Sequence, residues 1–258
     1  MDFTQGLVDT AYKAYEKKLL KRVKGGKIPK HVGIIMDGNR RFAKELWMKP
    51  TDGHREGKDK LEEVIDWCIE MGIRILTVYA FSTENFKRSR EEVMELMRLF
   101  VENLKRAADD ERIHKNGIRI KIIGQRDILP KDVRDAIEYA EERTKNYDKF
   151  FFNIAIAYGG REEIIKAIKE IAQEVRDGKL KVEEITEDTV RKHLYTRDLP
   201  DPDLILRTSG EERISNFLLW QSAYSEFYFA DIYWPTFRKI DFLRAIRSYQ
   251  LRQRRFGK

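Results

Sequence analysis

Residues 31–44 read HVGIIMDGNRRFAK. Val32 to Met36 is a short, near-continuous apolar run, the signature of a strand buried on both faces. It runs straight into Asp37. Gly38-Asn39 then turns the chain, and Arg40 and Arg41 open the next helix. A doubly buried strand belongs to a parallel sheet covered by helices. In such sheets ligands bind beyond the carboxyl ends of the strands. The stretch therefore predicts both an architecture and a place to look for function.

Working outward, the alternation continues. Further strands are predicted at 73–81, 118–123, 150–158 and 203–207. Helical periodicity covers roughly 57–71, 90–112, 131–147, 161–176, 187–195, 215–224 and 239–254. Ser89 followed by Glu92 reads as a capping box, the hydroxyl accepting from a first-turn N–H while Glu92 reaches back. No Pro-, Gly- or Ser-rich linker divides the chain and no repeat is present. The prediction is one α/β domain with a mainly parallel central sheet of about six strands flanked by helices. Residues 1–26 form an N-terminal helical extension and 27–258 the catalytic domain. The extension carries a loose apolar stripe and a basic face (Lys17, Lys18, Lys21, Arg22, Lys24). That face could touch anionic lipid, but the stripe reads as packing on the chain's own domain.

The chain has 258 residues, 37% of them charged, and a formal charge of +7. An average soluble protein is roughly 25% charged, and a Lys- and Glu-rich excess with few Asn and Gln leans towards heat-stable proteins. The charge fits a polyanionic partner: nucleic acid, anionic lipid or a molecule with several phosphates. The single cysteine, Cys68, excludes a disulfide framework and a cysteine-rich zinc site. It shares an apolar stripe with Leu61, Val64 and Ile65 and reads as core. No signal peptide and no membrane-length apolar run is seen, so the expected location is cytoplasmic.

Three strand-end segments carry the chemistry: 37–41, 82–88 and 207–215. Each combines arginine with small hydroxyl or amide groups. Guanidinium forks match phosphate oxygens. Several arginines in one pocket need an anion between them. The alternative for any one of them is a salt bridge to a nearby Glu. Neither G-x-x-x-x-G-K-[ST] nor G-x-G-x-x-G follows the first strand, so this is not a nucleotide loop. Instead, Gly38-Asn39 presents the backbone N–H groups of Arg40 and Arg41 at a helix start. Asp37 beside bound phosphates is favourable only with a cation between them. Mg2+ takes one or two carboxylates plus phosphate oxygens. Glu226, within an aromatic stretch, is a second acid that needs a partner or a metal. The residues alone leave open which. Met94, Met97, Phe100, Val101 and Leu104 line one helix face, and Phe150, Phe151 and Phe152 are consecutive. Core and tunnel wall both fit these.

HVGIIMDGNRRFAK, AFSTENFKRS, NIAIAYGGR and DLILRTSGEERISNFLLWQSAYSEFYF together resemble the cis-prenyltransferases, the undecaprenyl diphosphate synthase family, from about residue 28 to the C-terminus. The resemblance implies a hydrophobic tunnel in the α/β fold, a homodimer, and repeated condensation of isopentenyl diphosphate onto an allylic prenyl diphosphate with Mg2+. Farnesyl or geranylgeranyl diphosphate would be the primer, and the long polycis product a precursor of a glycosyl carrier lipid. By position, Asp37 matches the essential acid that holds Mg2+. Gly38, Asn39, Arg40, Arg41 and Phe42 match the loop around the allylic diphosphate. His54 matches a further contact to it. Ser82, Thr83, Glu84, Asn85, Phe86 and Arg88 match the catalytic loop, with Ser82 and Asn85 joining Asp37 as catalytic candidates. Arg207, Arg213 and Ser215 match the isopentenyl diphosphate site, and Glu226 a metal ligand. Arg255 and Gly257 match a tail that reaches the partner's isopentenyl diphosphate. Pro50 stands where many bacterial members have arginine, and Glu212 where histidine is common. Both departures suggest an archaeal-type enzyme.

Product length should depend on the tunnel floor, with Phe150 and the 93–104 helix as the expected contributors. A peripheral membrane contact for product release fits the greasy product. The rivals are a non-catalytic partner subunit of a heteromeric prenyltransferase and a nucleic-acid-binding domain. The first would lose the Asp37 and Arg41 positions. The second would cluster its arginines on an outer face, so no nucleic acid is expected.

Overall fold

The computed structural model describes residues 3–252. Six strands, β1 (His31–Ile35), β2 (Ile75–Ser82), β3 (Ile118–Ile123), β4 (Phe150–Tyr158), β5 (Leu204–Arg207) and β6 (Glu226–Phe229), form one sheet. Their order is β3-β4-β2-β1-β5-β6, and every neighbouring pair is parallel. The helices are α1 (Phe3–Lys24), α2 (Asn39–Glu45), α3 (Pro50–Met71), α4 (Arg90–Asp109), α5 (Glu111–Lys115), α6 (Lys131–Thr144), α7 (Gly160–Arg176), α8 (Glu187–His193) and α9 (Lys239–Leu251).

The sequence runs out of β1 in two directions. β2 lies on one side and β5 on the other. This reversal of strand order opens a crevice at the carboxyl ends of β1 and β5. Register pairs Ile35 with Arg207, so Asp37 and Arg207 emerge side by side. Successive residues of β1 face opposite layers. Ile34 joins the large core with Val64, Leu96 and Trp234, whereas Ile35 packs with Tyr158, Phe217 and Leu218 on the other face.

Three details differ from the prediction. Residues 215–224 are turns, not helix. Ser215, Asn216 and Leu218 have φ of 46°, 65° and 46°, which no right-handed helix accommodates. The apolar residues Phe217 and Leu218 turn inward there, together with the polar Gln221. The second correction is β6, too short to show an alternation. The predicted 90–112 helix also breaks at Asp110, whose carboxylate caps α5 by accepting from Arg112 N–H at 2.8 Å.

α1 packs on the domain. Leu19 and Val23 are buried, Gln250 of α9 donates to the Val23 carbonyl at 2.7 Å, and the Arg238 guanidinium lies 5.3 Å from the Tyr12 ring centre. Cys68 is fully buried core, and burial pushes its thiol pKa up.

Candidate active site

The backbone of Asp37 is gripped before its side chain acts. Its N–H donates to Thr208 Oγ1 at 3.0 Å, and the same hydroxyl donates back to its carbonyl at 2.7 Å. Trp234 N–H donates to that carbonyl too, at 3.0 Å. Gly38 follows at φ 104°, and a Cβ there would stand 3.0 Å from Tyr233 Cα, so glycine alone fits the turn. α2 then lies against α3, where a Cβ on Gly53 would meet the Asn39 carbonyl at 2.2 Å. That close approach sets His54 facing the crevice wall.

The first cluster stands on strand ends. Asp37 Oδ2 accepts from Arg207 at 2.7 Å and lies 3.3 Å from Arg41. Its Oδ1 accepts from Gly38 N–H at 2.7 Å. Partial burial opposes the charged form of Asp37. The Arg207 bond and charge, Arg41 and the Gly38 N–H outweigh it and hold the pKa below the ordinary carboxylate range. Arg207 is only 4% exposed. It donates to Ser215 Oγ at 2.7 Å and to the Arg213 carbonyl, which fixes the 207–215 loop. Its Nε is buried without a partner, a donor that calls for a ligand or water. Arg41 also donates to Ser209 and to Glu211, and Arg213 shares Glu211 from the other side.

The second cluster stands on helices. Glu92 of α4 accepts from Arg88 at 3.0 Å, with Arg40 and His54 both 3.6 Å from the same oxygen. Ser89 caps α4 as predicted, accepting from Glu92 N–H at 3.3 Å. The Glu92 side chain turns to these three cations, so the reciprocal half of the expected box is not its job. Burial first, then the Arg88 charge, lowers the His54 pKa, which leaves the ring neutral at pH 7. Burial and the neighbouring Arg40 charge likewise lower that of Arg88.

The residues expected to form the catalytic loop directly follow β2. Asn85 Oδ1 accepts from Ser82 N–H at 3.0 Å. Thr83 donates to Glu162 at 3.1 Å, and Asn216 donates to Glu84 and Glu162, each at 3.1 Å. The loop is thereby tied to the 215–216 turn. Phe86 meets Phe81 edge-on at 4.8 Å, and Phe42 is half-buried on α2.

Below the mouth lies a largely apolar cavity of about 200 Å3 between α3, α4 and the sheet. Its wall includes Leu61, Ile65, Leu96, Phe100, Phe152 and Ile154, and it reaches Met36, Asn39 and His54. Those three residues also line the polar pocket holding Asp37, Arg40, Arg41 and Arg88. Phe152 rather than Phe150 lines the cavity. Phe150 continues the same strand face one step below, in register with the lining residue Ile118.

One site prediction is not brought to this crevice within the chain. Glu226 is the first residue of β6 and pairs with Leu204, not Arg207. Parallel register puts it at the opposite end of the sheet, more than about 10 Å along the strand direction, where it binds Arg252 at 3.1 Å. Asp37 and Glu226 therefore do not share a metal within one chain. Arg255 and Gly257 lie outside the described residues. Thr208, Ser209 and Glu211 entered the sequence reading only as members of the 207–215 segment and Glu92 only as a capping residue, and Tyr233 escaped it. The i,i+4 spacing of Arg88 and Glu92 was the one available signal. Among the described residues no group of three or more His, Cys, Asp or Glu could hold a metal. A metal here would depend on Asp37 plus oxygens brought by substrate, the donor set Mg2+ accepts.

The undecaprenyl diphosphate synthase family model matches residues 35–257. A tritrans,polycis-undecaprenyl-diphosphate synthase (geranylgeranyl-diphosphate specific) of Pyrococcus abyssi is 58% identical over 248 residues, 96% of this chain and 94% of the relative. The synthase of the same description from Thermoplasma acidophilum is 57% identical over the full length of both chains. Lavandulyl diphosphate synthase from Lavandula x intermedia, solved with dimethylallyl diphosphate, superposes with a TM-score of 0.86 at 39% identity, over 90% of this chain and 99% of that one.

Proposed function

The chain belongs to the undecaprenyl diphosphate synthase family of cis-prenyltransferases, and from that premise we propose that it extends geranylgeranyl diphosphate by repeated addition of isopentenyl diphosphate to a long polycis-polyprenyl diphosphate. The observation that carries this reading is the shared mouth. Met36, Asn39 and His54 belong at once to the apolar cavity and to the arginine-rich pocket. A molecule with a diphosphate head and a prenyl tail fits that pairing. The geranylgeranyl specificity of the named relatives supports the primer.

The allylic diphosphate is assigned to Arg40, Arg41, His54 and Arg88, with its tail entering the cavity. Isopentenyl diphosphate is assigned to Arg207, Arg213 and Ser215. The allylic C1–O bond breaks and its electron pair leaves with the diphosphate. The isopentenyl double bond forms the new C–C bond to C1, and a proton is lost from C2. The arginines stabilise the charge growing on the departing diphosphate. Mg2+ held by Asp37 and diphosphate oxygens would add a second positive charge to the same oxygens. The ionised Asp37 is fixed for that task by Arg207 and Gly38. Asp37, Ser82, Asn85 and the released diphosphate are the candidates to receive the C2 proton. The sheet end and the cavity wall align the reacting carbons.

A homodimer, with the Arg255–Gly257 tail serving the partner's site, and the product's use as a glycosyl carrier lipid precursor are part of the same proposal. Glu226, held by Arg252 at the far end of the sheet, is not assigned to a metal shared with Asp37 within one chain. A cytoplasmic enzyme working at the membrane edge suits the product. No helix among the described residues is long and apolar enough to cross a membrane. The test is turnover of labelled isopentenyl diphosphate with Mg2+ and dimethylallyl, geranyl, farnesyl or geranylgeranyl diphosphate offered separately. Long product from geranylgeranyl diphosphate, absent with Asp37→Ala, supports the reading. No elongation from any primer by folded protein supports the partner-subunit alternative.

A further inference from the structure

The far end of the cavity is unlike its wall. Leucines, isoleucines and phenylalanines give way to Lys58, Glu62, Arg106, Asp110 and Arg112. These charges are paired across three helices. Glu62 of α3 binds Arg106 of α4 and, at 3.1 Å, Arg112 of α5. Arg112 also holds Asp110, in the break between α4 and α5, at 2.7 Å, and Lys58 stands 3.4 Å from Glu62. Glu62 thus ties α3 to both helices on the other side of the cavity.

Size gives this tie a consequence. Glu92, at the mouth, and Arg106 are about 21 Å apart along α4 at 1.5 Å per residue. An isoprene unit adds four chain bonds, roughly 5 Å when extended. The wall therefore matches a tail of about four units, the length of geranylgeranyl. The cavity volume of about 200 Å3 is smaller still. A cavity of about 150 Å3 takes one benzene, so apolar side chains along the wall must shift to admit the primer's tail. An undecaprenyl chain has eleven units, and its tail reaches the charged end soon after elongation begins.

Resting on the assignment of this cavity to a growing prenyl tail, we propose that the Glu62–Arg106–Arg112 network is a latch across its far end, which the tail must open to grow further, and which thereby helps set product length. The latch is made of half-exposed pairs, with Arg106 55% and Arg112 56% exposed. Such pairs are individually weak, which suits a closure that a lengthening apolar chain has to displace. Removing the Glu62 charge leaves two arginines to repel each other and frees the seam.

The experiment compares wild type, Glu62→Gln, the double variant Arg106→Gln/Arg112→Gln, and Arg106→Lys, which keeps the pair. Products from geranylgeranyl diphosphate are resolved by length, with the first condensation reporting that each variant is folded. In parallel, unreactive thiolodiphosphate analogues with farnesyl, geranylgeranyl and longer tails are ranked by affinity. We expect the ratio of longest to shortest products to rise about two- to fivefold in Glu62→Gln and in the double variant. Analogues longer than geranylgeranyl should tighten by a similar factor, and the farnesyl analogue should be unaffected. Arg106→Lys should match wild type. Raised salt should shift wild type in the direction of Glu62→Gln, since exposed pairs are screened. An unchanged length distribution, or an affinity change independent of tail length, overturns the latch. If wild type makes no polyprenyl product, the proposed function falls, while the affinity series still decides whether the seam is latched.

Discussion

Two cationic clusters face the same mouth, and they are built on opposite plans. The one at the strand ends centres on Arg207, which is buried, bonded to Asp37, Ser215 and a backbone carbonyl, and fixed by the register of β1 with β5. The other gathers Arg40, His54 and Arg88 from three separate segments around one carboxylate, Glu92. Like charges this close need an anion between them. In the first cluster the anion is Asp37, part of the permanent framework. In the second it is Glu92, standing where a ligand's phosphate would satisfy the same donors. A sheet can hold a charged group in a fixed place. A helix-borne group relies on a counter-ion that a ligand can replace.

The sharpest way to break this comparison is to remove one charged group from each cluster in turn. Asp37→Ala should lower kcat by about 10³-fold, the loss typical of a group aimed at developing charge. Arg88→Ala should show mainly as a raised KM for the allylic diphosphate. Equal losses of kcat in the two would mean that the clusters do not divide the work. The next effect is on stability. Arg207→Ala leaves Asp37 without its buried partner and should cost about 3–5 kcal/mol, seen as a lower urea midpoint. Arg88→Ala should cost less, about 1.5–3 kcal/mol, because Glu92 keeps Arg40 and His54 beside it.

Titration separates the clusters by pH. The folded-state pKa of Asp37 is depressed, so its contribution to stability is present above its unfolded value near 3.9 and is lost as pH falls below that. His54 is also depressed, but from an unfolded value near 6.5. As pH falls below 6.5 the unfolded chain gains a proton that the folded ring refuses, and stability drops there first. Buried His31 adds to this window. Burial lowers its pKa to about 4, with Nδ1 on the Pro200 carbonyl at 2.7 Å and Nε2 on Thr77 at 2.7 Å. Over that span His31 alone should remove about 3 kcal/mol. Thermal midpoints should therefore fall between pH 6.5 and 4 and again below 4. His54→Gln should flatten only part of the first fall. A flat profile from pH 6.5 to 4 would mean that neither ring is held neutral.

The strand-end cluster was the more legible of the two in the sequence. An apolar run that stops at Asp37, and another that stops at Arg207, locate both groups once the sheet is known to be parallel. Glu226 shows where this reasoning stops. It sits in an apolar stretch as they do, but it begins its strand instead of following it, and only register shows that it faces the other end. The 215–224 segment misled in a related way. Its apolar residues have a helical period, while Ser215, Asn216 and Leu218 take left-handed φ values that composition does not announce. In the helix-borne cluster, Arg88 and Glu92 are neighbours by spacing. The arrival of Arg40 and His54 at the same oxygen depends on how α2 and α3 pack, and that contact depends on Gly53 and Gly57.

The smallest predicted effect tests the exchangeable counter-ion directly. Glu92→Gln keeps an oxygen to accept from Arg88 but removes the charge that neutralises Arg40 and Arg88. If Glu92 occupies the place of a ligand anion, inorganic pyrophosphate no longer competes with it and should bind about three- to tenfold tighter at low salt, an effect that salt should erode. The unliganded protein should melt slightly lower, because three cationic or protonatable groups are left facing each other, and pyrophosphate should restore the midpoint by mass action. The same substitution in the strand-end cluster, Asp37→Asn, should give no such gain, because Arg207 would keep its bonds to Ser215 and the Arg213 carbonyl and lose a framework partner instead. Weaker pyrophosphate binding in Glu92→Gln would show that Glu92 positions Arg88 for the ligand instead of standing in for it, and the two clusters would then follow one plan.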